Sequence, residues 1–130
     1  MPHWTALVTL IAAAVVFWAA LRVGMARGTY KIKAPATTGN PNFERIYRAH
    51  QNMLEWMPIF LPALWLFGIY LSDRWAAILG LVWLGGRVLY TLTYSQAAEK
   101  RSTGFSIQAT AAAILFVGAL IGIGKALIAG

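Results

Sequence analysis

An all-α, integral membrane bundle of four spanning helices is what this sequence predicts, on three observations. The 130 residues are 59% hydrophobic and only 12% charged, about half the charged share of a typical soluble domain. The apolar residues gather into four stretches, Trp4–Leu21, Met53–Leu71, Trp75–Tyr94 and Ala109–Ile128, each near the ~20 residues that cross a hydrocarbon layer of roughly 30 Å. Trp4, Trp18, Trp56, Tyr70, Trp75, Tyr90 and Tyr94 lie toward the ends of these stretches, where an interfacial aromatic belt belongs. A soluble four-helix bundle would need polar outer faces that these segments lack.

Helices are expected at about 4–27, 43–71, 75–99 and 105–128, within one transmembrane domain covering 1–130. The first has no Lys or Arg before Arg22, so it lacks the basic start of a cleaved signal and reads as a retained helix. After it, the polar stretch Arg22 to Arg48 carries Arg22, Arg27, Lys31, Lys33, Arg45 and Arg48, with turn chemistry from Ala34 to Pro41. The second connection is only Ser72-Asp73-Arg74, a tight reversal. The third, Ala98 to Gly104, holds Glu99, Lys100 and Arg101. Basic loops stay on the cytoplasmic side, which puts connections 22–48 and 98–104 there and both termini opposite. Gly24 with Gly28, Gly118 with Gly122, and Gly85-Gly86 offer small surfaces for close helix packing.

The formal charge is +7, from eleven Lys/Arg against four Asp/Glu. The basic residues sit mostly in one short connection, which suits anionic headgroups or an anionic substrate better than nucleic acid. There is no Cys, so disulfides, thiolate metal sites and Cys nucleophiles are excluded. His3 and His50 alone are too few, and too far apart in sequence, for a metal site.

The informative residues are polar ones where apolar ones are expected, because a charge at mid-bilayer costs ~2.5–3.5 kcal/mol. Arg48, Asn52 and Glu55 are spaced i, i+4, i+7 on one face of the second helix, and Glu44 extends that stripe by a turn. Arg87, Tyr90, Tyr94 and Arg101 follow at i, i+3, i+7 and i+14, a matching face on the third. Arg48, Glu55 and Arg87 could form a structural ion-pair network that fixes helix register. That leaves surplus cations, since Arg48, Arg87 and Arg101 face only Glu55 and Glu99, and an anion supplied from outside is the better account. His50 alone fits a hydrogen-bonded structural group as well as an acid or base. Pro58 and Pro62 each remove a helix hydrogen bond, which either opens a groove beside the stripe or serves packing.

The run Phe43-Glu44-Arg45-Ile46-Tyr47-Arg48-Ala49-His50-Gln51-Asn52-Met53-Leu54-Glu55-Trp56-Met57-Pro58 closely resembles the signature of the MAPEG family, the membrane-associated proteins of eicosanoid and glutathione metabolism. Thr37-Thr38-Gly39, Gly86-Arg87, Tyr90 with Tyr94, and Arg101 extend the resemblance to nearly the whole chain. It implies a homotrimer with glutathione bound between subunits. Arg27, Arg48, His50, Asn52, Glu55, Trp56, Arg87, Tyr90 and Tyr94 resemble the family's glutathione contacts, and Arg101 resembles its catalytic arginine at the thiol. Trp56 replaces a Tyr of leukotriene-forming members, which removes a hydroxyl. Gly28 replaces an Arg that is proposed there as the acid toward an epoxide.

The chemistry agrees with the residues. Glutathione carries two carboxylates and one ammonium, complementary to several Arg and one Glu. A free thiol with a pKa near ~8.5 is mostly protonated at neutral pH. Lowering that pKa by ~2 units takes about 2.7 kcal/mol, which a charge pair at about 4 Å supplies at an effective dielectric near 20. Arg stays charged and suits that task; Ser102 could add a hydrogen bond. The expected activity is glutathione transfer to a hydrophobic electrophile, with reduction of lipid hydroperoxides as a related one, and no metal. Two other functions fit parts of the sequence. A non-enzymatic lipid-binding scaffold would not need Arg101 and the stripe. A small proton-coupled exporter would carry its acid in the first span, which has none.

Overall fold

The computed structural model describes all 130 residues. Four helices follow one another: α1 (His3–Tyr30), α2 (Pro41–Tyr70), α3 (Asp73–Gln96) and α4 (Ser102–Ala129), with a short 3₁₀ turn, Ala98–Arg101, before α4. Each is long and apolar enough to cross a membrane, and the protein is an integral, multi-pass membrane bundle.

Local chemistry sets the ends. Lys31 takes the left-handed conformation at φ 55° to close α1, and the Ile32 N–H donates back to the Arg27 carbonyl at 3.0 Å. Asn40 caps α2, its side-chain oxygen accepting from the Asn42 and Phe43 amides at 2.8 and 3.4 Å, with Pro41 next. Ser72 caps α3 through the Trp75 amide at 3.1 Å. The α1 N-terminus has no cap of its own. Asp73, the first residue of α3 beside the α2–α3 turn, supplies one, its carboxylate accepting from Thr5 N at 2.8 Å, Thr5 Oγ1 at 2.7 Å and Trp4 N at 3.1 Å. The N-terminus and this turn therefore share one end of the bundle.

Helix boundaries correct the sequence reading. α1 runs to Tyr30 rather than 27 and α2 starts at Pro41 rather than 43, so of the polar stretch 22–48 only 31–40 is non-helical. Arg22, Arg27, Arg45 and Arg48 tolerate a helix well, and Pro35 and Gly39 confine the break. The third helix stops at Gln96 rather than 99, because Ala97 is extended (φ −162°, ψ 138°). Arg101 consequently lies on the 3₁₀ turn and not on the α3 face.

The core is built from small residues. Ala12, Ala63, Ala76, Ala77, Ala111, Ala112 and Ala119 bring the helices close around Phe60, Leu64, Trp83 and Leu115. The Phe60 and Trp83 rings stack at 3.9 Å and 6° between α2 and α3. Only 29 of 130 residues are buried, so most of the apolar surface faces outward, as lipid requires and water would not. Of the glycines, Gly86, Gly104, Gly118 and Gly122 sit against neighbouring elements with no room for a side chain, whereas Gly24, Gly28 and Gly85 face open space. α2 continues through Pro58 and Pro62, and beside these prolines an apolar groove of about 290 Å³ runs between α2 and α4.

Candidate functional site

At the end of the bundle opposite Asp73, the start of α2 and the end of α3 enclose a polar recess of about 790 Å³. The helical period brings Glu44, Arg48, Gln51 and Glu55 along one wall at i, i+4, i+7 and i+11. Thr37 and Thr38 from the 31–40 loop, Pro41, Arg45 and Tyr47 from α2, Tyr94 from α3 and Ala98 from the 3₁₀ turn complete it. A second recess of about 330 Å³ holds Asn52, Tyr90, Arg101, Ser102, Phe105 and Ser106. The two are neighbours, for Tyr90 of one and Tyr94 of the other meet edge-on with centroids 5.4 Å apart.

Arg101 is exposed. Its guanidinium lies over the Tyr94 ring at 5.4 Å, and Nη1 donates to the Ala98 carbonyl at 2.9 Å. That bond stays within the 3₁₀ turn and leaves the remaining donors for a ligand. Glu44 accepts from the Gly39 amide at 3.3 Å, which ties the loop to α2. Glu55 is exposed on a helix that crosses the membrane.

The residues singled out from the sequence do not all gather. Arg48, Glu55 and Tyr94 line the first recess, and Asn52, Tyr90 and Arg101 the second. Arg87 lines neither. Within the single protomer it is fully buried. Its Nη1 donates to Asn52 Oδ1 at 2.8 Å and its Nη2 to the Ala49 carbonyl at 3.4 Å. An ion-pair network through Glu55 is thereby replaced by bonds to neutral acceptors. Arg27 also lines neither recess: Nη1 donates to the Ala36 carbonyl at 2.8 Å and the guanidinium lies over Phe43 at 5.1 Å, which braces the loop. His50, two positions from Arg48, is half-buried on another face of α2. Trp56 packs edge-on against Phe105 with centroids 5.8 Å apart and joins the core.

Sequence reasoning missed Gln51, Tyr47 and Arg45 as lining residues. Gln51 was open to it, lying three residues after Arg48 and four before Glu55. Tyr47, three residues after Glu44 and four before Gln51, was open to it in the same way, whereas Arg45 falls off the stripe and enters through the width of the recess.

Comparison with known proteins gives a consistent picture. An uncharacterized protein of a Synechocystis species is 50% identical over 120 residues, covering 92% of this chain and 88% of that protein. Human microsomal glutathione S-transferase 2 is 45% identical over 118 residues, 91% of this chain and 80% of that one. Bovine leukotriene C4 synthase is 39% identical over 116 residues, 89% and 77% respectively. The MAPEG family pattern itself matches residues 5–121, and the chain belongs to the MAPEG family.

Proposed function

We propose that the chain is a membrane-bound glutathione transferase that holds glutathione across the two recesses and activates its thiol at Arg101. The observation carrying this reading is the set of polar groups: Arg48, Gln51 and Glu55 line one recess, and Arg101, free of any carboxylate, stands in the next. Cations answer the two carboxylates of the tripeptide, and Glu55 answers its ammonium. The names of the relatives, a glutathione transferase and a leukotriene C4 synthase, support the same class of reaction.

The second substrate is a hydrophobic electrophile arriving from the lipid. The thiolate sulfur donates its electron pair to the electrophilic carbon, a C–S bond forms, and the displaced group leaves with its own pair. With a lipid hydroperoxide, one glutathione takes the outer oxygen as a sulfenic acid and the lipid leaves as its alcohol; a second glutathione then closes the disulfide with loss of water.

The functional unit is a homotrimer. Glu55 is exposed on a membrane helix of the single protomer, a costly arrangement in lipid that a neighbouring subunit relieves. Arg27 and His50, which reach neither recess in one protomer, then serve the ligand of a neighbour. The single domain spans 1–130, and the recess end faces the cytoplasm, because the basic loops lie there.

Glu55→Ala and Arg48→Ala are expected to weaken glutathione binding by about 2 kcal/mol or more, since each leaves a charged ligand group unpaired. Calorimetry on detergent-purified protein reads this directly. Wild-type affinity in both variants would place the ligand elsewhere. A protein that binds glutathione yet conjugates no electrophile would be a scaffold instead.

Topology has a separate test, made simple by the absence of native Cys. Cysteines placed at Lys31 and Lys100 should label from the cytoplasmic side, and one at Asp73 from the other. Labelling of positions 31 and 73 from the same side would remove the four-span topology.

A further inference from the structure

We infer that Arg87 is a positioning residue that fixes the side-chain amide of Asn52, so that its two N–H donors serve an acceptor group of glutathione. This rests on the transferase reading above and adds a specific role to it.

The Arg87 side chain is fully buried and enclosed by aromatic surface, its guanidinium 4.5 Å from the Tyr90 ring centroid and 5.9 Å from that of Trp83. Its two bonds go to Asn52 Oδ1 and the Ala49 carbonyl, three residues apart, and so grip one turn of α2. Its Nε has no hydrogen-bond partner. A buried guanidinium with neutral acceptors only is an expensive way to join two helices.

What it does supply is direction. An asparagine amide can present either its oxygen or its NH2 to a neighbour, but a guanidinium has donors and no acceptor. Opposite Arg87 the amide must therefore show its oxygen, and its NH2 is left over. Asn52 is also a wall of the recess that holds Tyr90 and Arg101. The donors are thus committed to the side of the ligand, which arrives rich in carboxylate and carbonyl oxygens. Next in sequence, Gly86 packs on α4, where a Cβ would come within 2.7 Å of the Gln108 backbone nitrogen. That contact holds this turn of α3 firmly.

Asn52→Asp separates this role from a merely structural one. The aspartate still accepts from Arg87, now as an ion pair, but offers no donor to the ligand. We expect its thermal midpoint in detergent to match or exceed wild type while glutathione affinity, read by calorimetry, falls about tenfold or more. Arg87→Met should lose a similar factor. Arg87→Lys, again donor-only, should recover part of it. On an Asn52→Ala background, Arg87→Met should add less than about twofold, because its only route to the ligand is gone. Wild-type affinity in Asn52→Asp overturns the inference. So does a full, additive loss from Arg87→Met on the Asn52→Ala background. If Arg87→Met does not fold, Arg87→Gln, which offers an acceptor as well as donors and so no longer fixes the amide, takes its place in the cycle. A wild-type protein that takes up no glutathione at all defeats the transferase reading and this role with it, an outcome distinct from an additive cycle in a protein that binds.

Discussion

Arg101→Ala is expected to move the thiolate titration of bound glutathione upward by about 2 pH units and to slow conjugation of a generic aryl halide about 10²-fold at neutral pH. The guanidinium stands over Tyr94 and is tied only to the Ala98 carbonyl of its own turn. Most of its charge is therefore available to a sulfur anion in the recess. The sign follows from the direction of the effect. A cation beside the sulfur lowers the thiol pKa, so the wild-type rate reaches its plateau at lower pH, and the variant differs most below the free thiol pKa of ~8.5 and least above it. Glutathione should still bind through Arg48 and Glu55. Arg101→Lys should restore part of the rate, since it returns the charge without the planar fork. The ultraviolet absorbance of the thiolate, followed against pH, measures the shift. If both variants titrate and turn over like wild type, Arg101 is a cation of the headgroup region and the mechanism is wrong.

Gly104→Ala should be the most damaging small substitution in the chain, at about 2–3 kcal/mol. A Cβ there would meet the Tyr90 Cα at 2.7 Å and the Gly86 carbonyl at 2.8 Å, both of them backbone atoms of α3. Neither can rotate away, so α3 and α4 must separate. Because Tyr90 lines the Arg101 recess, conjugation should fall as well. Denaturant titration in detergent measures the stability, and Gly85→Ala is the control, since nothing lies within 4 Å of its Cβ position. Equal effects at 85 and 104 would mean that the α3–α4 contact is looser than described.

On α2 the stripe Arg48, Asn52 and Glu55 was legible from its spacing, because it repeats with the helix period where an apolar run begins; Arg48 and Glu55 share one recess, with Gln51 between them, and Asn52 lines the next. The recess shared by Arg48 and Glu55 is that period made visible. The α3 side was less so. Counting from Arg87 to Arg101 assumes one unbroken helix, and nothing about Ala97 warns that the backbone turns extended there. Spacing also cannot tell inward from outward on a helix between two partners. Arg87 shares its stripe with Tyr90, yet the tight Gly86–Gly104 approach buries it. The same limit applies to the glycines: Gly24 and Gly28 carry the spacing for close packing and face open space, while Gly104, outside any such pair, makes the tightest contact with another helix's backbone.

The break at Ala97 has a consequence for how such a protein can change over generations. In a single continuous helix, inserting or deleting one residue ahead of Arg101 would swing it by about 100°, and any gain in reactivity would come tied to the register of the whole span. With the extended residue in place, Ala98–Arg101 is a short module of its own between two rigid rods. On the proposed reading, lineages can alter the reactive arm there while the arm assigned to the tripeptide, fixed in α2, stays as inherited. One scaffold can in this way diversify its chemistry while keeping its thiol donor.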